Sequence, residues 1–250
     1  MSDVPVFAPG GYRYAKAVFQ YSAGVAAEPG FEIERARFAR PLPLAEGFAA
    51  IASHLKTLGR PLAAFCACEL RSPSPFTEQG FRDLNQAYAK VLEEWGIYRD
   101  GNNPVARSNV CPVISPPASV SFYAFSYTVP ANGARRPSFI VAGGAECPEG
   151  KPNYRDYIVA RGDLSRTGLR EKVRFVVAEM QRRLASLGVS WKDASAAHAY
   201  TVHDIGALLE AEILRPGPAA VGLTWQLCRP PVVDLEYEMD VRAPAREIVL

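Results

Sequence analysis

Apolar residues along the chain keep two periods that alternate in blocks. In "PLAEGFAAIASHL" (43–55) and "LREKVRFVVAEMQRRL" (169–184) they recur every third or fourth position, which predicts helices. Each of these runs on to Leu-Gly, at 58–59 and 187–188, where glycine suits a left-handed C-cap. A strand-like run follows each, "LAAFCACEL" (62–70) and "ASAAHAYTV" (194–202). Next come a long helical pattern, "TEQGFRDLNQAYAKVLEEWG" (77–96), and in the second half a shorter one, "DIGALLEAEIL" (204–214). Each half closes on a predicted hairpin around Pro-Pro, 108–129 and 222–241. At the front of each half lies a strand ending in small residues, "AVFQYSAG" (17–24) and "SFIVAGG" (138–144).

Both halves therefore read β-β-α-β-α-β-β, a sheet with two helices on one face. "PANGARRP" (130–137) is the linker candidate, so the expected domains are 1–130 and 131–250. Within the predicted hairpin of the second half, "DLEYEMDV" places Asp234, Glu236, Glu238 and Asp240 on one strand face, with Leu235, Tyr237, Met239 and Val241 on the other. Cys66 and Cys68 are likewise expected on a common face, as buried apolar residues.

Composition narrows the class. The 250 residues are 48% hydrophobic and 22% charged, as in ordinary globular proteins. A net charge of +2 supplies no basic footprint for nucleic acid. No apolar run is long enough to span a membrane. The start, "MSDVPVFAPGG", lacks the charged and apolar regions of a signal peptide, and five cysteines without framework spacing suit a reduced compartment. A cytoplasmic protein is expected. His198 and His203 are spaced for neither a strand face nor a helical pair, so no metal site is expected. "GGAECPEGKP" (143–152) has the wrong spacing for a phosphate loop and Pro152 in place of the hydroxyl residue.

Three short stretches carry a family resemblance: "RYAKAV" (13–18), "FRDLNQAYAKVL" (81–92) and "PVARSNV" (104–110). In this order they resemble the entry strand, second-helix pattern and arginine signature of the RidA family of enamine and imine deaminases. "RPPVVDLEYEMDV" (229–241) is similar to that family's closing hairpin. The resemblance implies an α+β fold of two tandem RidA-like (chorismate-mutase-like) domains, each a mixed sheet with two helices packed on one face. It implies a homo-oligomer of trimeric layout, no cofactor and no metal. It also implies an enzyme that hydrolyses the enamine or imine of a small unsaturated amino acid to an oxo acid and ammonia, with 2-aminomuconate or a chlorinated analogue as the substrate class.

The residues implied are Arg107 for the substrate carboxylate, Tyr14, Lys16 and Asn85 as further substrate contacts, and Glu236 as the catalytic acid/base. An arginine fork suits a carboxylate, and Lys16, where the family has glutamine, suits a second one. A carboxylate crowded by others can carry a proton near neutrality. Neither half holds a full set, however. Tyr123 stands near the expected acidic position of the first half, and Gly222 near the expected arginine of the second. Three outcomes stay open: one composite cleft drawing on both halves, a tyrosine in the acid's place, or a non-catalytic ligand-binding protein. An endoribonuclease is the remaining alternative, and the charge argues against it.

Overall fold

A computed structural model describes residues 4–133 and 136–250. Residues 134 and 135, inside the linker candidate, lie outside the described residues. Strands β1 (Val6–Phe7), β2 (Tyr12–Ala15), β3 (Gly24–Ala27) and β4 (Phe31–Pro43) lead into helix α1 (Leu44–Thr57). Then follow β5 (Phe65–Arg71), α2 (Glu78–Glu94), β6 (Ala106–Pro112) and β7 (Ser121–Pro130). The second half contains β8 (Phe139–Ala145), α3 (Arg166–Ser186), β9 (Ala196–Tyr200), β10 (Thr224–Gln226), β11 (Cys228–Arg229), β12 (Glu238–Ala243) and β13 (Arg246–Val249). Among the described residues, no helix is long and apolar enough to cross a membrane.

The strands form two mixed sheets, one of seven strands in the order β1-β2-β3-β8-β12-β9-β10 and one of six in the order β11-β6-β5-β7-β4-β13. Alternation along the strands sorts side chains between an inner and an outer face. On β12, Met239, Val241 and Ala243 pack with Val173, Val176, Met180 and Leu184 of α3. On the other face of β12, Arg242 ion-pairs with Glu69 of β5, and Ser108 Oγ of β6 donates to Asp240 Oδ2 at 2.8 Å. Tyr14, Val25, Ile140 and Ala142 meet Ile33, Cys66, Ala67 and Ala106 in a second apolar layer between the sheets. Helices α1 and α2 cover the outside of the six-stranded sheet through Phe48, Ile51, Leu55, Tyr88 and Leu92.

This architecture overturns the expected pair of RidA-like domains with two helices each. The seven-stranded sheet carries one long helix, α3. The predicted helix at 204–214 is instead a turn of 3-10 helix (Gly206–Leu208) and a π-helix (Leu209–Leu214). Gly206 and Pro216 bracket too few residues for a stable α-helix. Strands also cross between the sheets: β1, β2 and β3 join the strands of the second half, and β11 and β13 join those of the first. The two predicted hairpins do not form. β6 runs parallel to β5, which lies between β6 and β7, and β11 leaves for the other sheet. Residues 17–23 form a loop with isolated bridges at Val18–Tyr21 and Ser22–Ala106, and the strand begins at Gly24. A register shift between Phe65 and Ala67 breaks the alternation of β5. Cys66 therefore packs between the sheets and Cys68 on the helix side, with Cys68 Sγ 3.3 Å from the Tyr88 hydroxyl.

Candidate active site

Thr77 caps α2 by accepting from the Gly80 amide at 3.1 Å. From there Glu78, Phe81, Asn85 and Tyr88 follow at helical spacing along one stripe. That stripe meets β6 at Arg107. The guanidinium of Arg107 is 3% exposed, lies 4.9 Å over the Tyr88 ring, and has the rings of Tyr21 and Phe81 at 5.8 Å. Its Nη2 donates to Asn85 Oδ1 at 2.5 Å, while the buried Nη1 has no partner. Among the described residues no carboxylate pairs with it. A buried cation with an unsatisfied donor is unfavourable alone and well suited to an anion.

Arg107 opens into a cavity of about 410 Å³, a usual size for a small-molecule site. Its walls come from the 18–21 loop, the start of α2, β6, the loop after β8, and residues 231–238. Glu238, the first residue of β12, contributes a carboxyl group that is 3% exposed. Burial pushes this carboxyl well above the usual carboxylate range. The negative charge of Asp240 pushes in the same direction, and Arg183 only partly opposes it. Both effects favour the protonated acid over the carboxylate. Gly143 makes room for it, since a Cβ there would sit 2.1 Å from Glu238 Oε1. Phe81, Val232 and Leu235 form an apolar wall, and Tyr154 brings a phenol to the same space.

The loop between β8 and α3 is tied down at several points. Glu78 Oε1 accepts from the amides of Tyr154 and Arg155 at 2.9 and 3.1 Å. Buried Glu146 accepts from the amides of Glu236 and Tyr237, with Lys172 Nζ 3.4 Å away. Arg183 of α3 donates to the carbonyls of Ala142 and Gly143 and to Glu149. These bonds hold the cavity wall to both sheets.

Of the sequence candidates, Arg107 lines the cavity and Asn85 orients it. Tyr14 is buried in the apolar layer between the sheets, and Lys16 is exposed just past β2; neither lines the cavity. Glu236 also lies outside it, with His203 Nε2 at 2.7 Å and Arg229 Nη1 at 3.2 Å. His198 sits against Asp240 instead, at 3.1 Å. Tyr123 lies under the Arg71 guanidinium, and Gly222 occupies a turn with φ of 76°. Three acids line Arg107's cavity: Glu78 accepts from backbone amides, Glu149 pairs with Arg183, and Glu238, two residues beyond the expected one, has neither kind of partner, so the cavity is composite across the two halves. Its signal was present in the acidic row, but the row alone did not say which member meets a cavity. Asn109 was not singled out in the sequence, where its one signal is its alternation with Arg107 along the strand; Gly143 and Tyr154 had no local signal.

The cavity brings a buried guanidinium with a free donor together with a buried carboxyl shifted toward its neutral form, an arrangement suited to a small carboxylic acid. The family model described as "2-aminomuconate deaminase CnbZ" matches residues 4–248, and the chain belongs to that family. A 2-amino-5-chloromuconate deaminase of Comamonas testosteroni is 59% identical over 251 residues, covering the whole of both chains. A chorismatase crystal structure overlaps 88% of this chain and 77% of its own, at 12% identity and a TM-score of 0.46.

Proposed function

We propose that this protein is a hydrolytic deaminase of 2-aminomuconate or its 5-chloro analogue, releasing ammonia and the 2-oxo acid. Family membership and the 59% identical deaminase support the substrate class. The observation that carries the chemistry is the shared cavity of Arg107, with its unpaired Nη1, and Glu238, whose burial favours the protonated acid.

Arg107 grips the carboxylate next to the amino-bearing carbon, and Asn85 keeps the guanidinium in plane with it. The apolar wall of Phe81, Val232 and Leu235 takes the diene or a chlorine. Glu238 gives its proton to C3 as the nitrogen lone pair moves in to form the C2 iminium. A water oxygen adds to C2, and the proton it sheds returns to Glu238. The hydroxyl proton of the carbinolamine passes to nitrogen, the C–N bond breaks, and the oxygen electrons close the carbonyl. One enamine and one water give one oxo acid and one ammonia.

Ammonia release from 2-aminomuconate by the purified protein tests the reading. A wild type that binds the substrate and releases none returns the non-catalytic alternative.

A further inference from the structure

Asn109 is a second buried polar residue of β6 that lines the cavity, and the chemistry above leaves it unused. It is 3% exposed. Ser72 Oγ donates to its Oδ1 at 2.8 Å, which sets the amide so that Nδ2 is the free end. That Nδ2 is buried and has no hydrogen-bond partner. Burying an amide donor without a partner is unfavourable, so its retention beside a cavity points to a ligand acceptor.

An amide NH2 donates and does not accept. The amino group of an enamine is also a donor, because its lone pair is delocalised into the double bond, so it offers Asn109 nothing. An oxygen on the same carbon is an acceptor. Arg107 and Asn109 are two residues apart on one strand face, roughly 7 Å between Cα atoms. The longer arginine can therefore hold the carboxylate while the shorter amide reaches the neighbouring carbon.

We propose that Asn109 Nδ2 donates to the oxygen that water adds at C2, a contact absent from the enamine and present in the carbinolamine and the 2-oxo product. This rests on the deaminase reading of the cavity. A contact made only after oxygen has been added lowers the barrier without tightening substrate binding.

A matched pair of ligands separates this role from carboxylate binding: adipate and 2-oxoadipate, which differ only at C2, titrated calorimetrically into wild type and Asn109→Ala. Wild type should prefer 2-oxoadipate about tenfold, the scale of one hydrogen bond. In the variant that preference should vanish while adipate binding stays the same. With 2-aminomuconate, kcat should fall about tenfold and KM should hold within about twofold. Equal weakening of both ligands would make Asn109 a carboxylate holder, and a surviving preference would remove it from the site; either overturns the inference. Asn109→Ser, which keeps a hydroxyl opposite Ser72, repeats the comparison should the alanine variant fail to fold. A wild type that releases no ammonia defeats the deaminase reading alone, since the ligand preference still decides the role of Asn109.

Discussion

Two buried clusters of arginine and carboxylate lie a few residues apart in this protein, and they differ in pairing. Between the sheets, Arg35 binds Glu69 through two bonds of 2.6 and 3.1 Å, and Arg242 bridges Glu69 to Asp240. Asp240 also accepts from Ser108 and Tyr200 at 2.8 Å. At the cavity, among the described residues, no carboxylate pairs with Arg107 and no side chain hydrogen-bonds to the carboxyl of Glu238. Residue types and burial are alike. Where every carboxylate is matched, the charges lock one sheet onto the other. Where cation and acid are kept apart, they remain available to a ligand.

The sharpest way to break this comparison is Glu238→Gln, which should lower kcat by roughly 10² to 10⁴ while the fold persists. Normal turnover by that variant would remove the acid from the mechanism. The matched cluster should respond in the opposite way. Arg242→Ala leaves Glu69 and Asp240 short of a buried partner and should destabilise the protein by about 3–5 kcal/mol in urea unfolding. The fraction still folded should keep its kcat/KM within about threefold. Arg107→Ala should reduce kcat/KM about a hundredfold, from the loss of one charge-assisted bidentate contact, with an unchanged melting temperature.

The two carboxylates should also leave opposite marks on stability against pH. Burial alone would raise Glu69, but Arg242 and Arg35 hold it down to about 2. Its stabilisation is present above the unfolded carboxylate pKa and is lost as pH falls toward 2. Glu238 is raised, so its stabilisation is complete at acid pH and is lost as pH rises from the unfolded value through the folded one. Urea titrations of wild type and Glu238→Gln across pH should converge in acid and separate as pH rises, with the glutamine variant the more stable. Curves that stay parallel would mean that the Glu238 carboxyl is not held neutral. The smallest effect is expected at Glu236→Gln, where kcat should move less than about threefold, since that carboxylate already faces His203 and Arg229.

Much of the site was legible locally. Arg107 follows from the arginine signature of the RidA resemblance, and Asn85 from its second-helix pattern. Glu238 was visible as one of four alternating acids, but Glu236 is the one that matches the acidic position of the RidA resemblance. Asp234 adopts a left-handed φ of 73° and the regular strand starts only at Glu238, so residue 236 turns toward His203 instead. Tyr14 and Lys16 failed to reach the cavity for a related reason. The residues after them form a loop, and β2 delivers Tyr14 into the layer between the sheets.

Chain order and local periodicity determine by themselves the long helices and most of the strand runs, because these depend on spacings of two to four residues. Tertiary structure alone decided that strands trade places between the sheets and that the second half keeps one long helix. It also decided which glutamate loses its water. Burial of a charge depends on neighbours far along the chain, here Gly143 of β8 on one side and Arg107 and Asn109 of β6 on the other, and no local pattern encodes that distance.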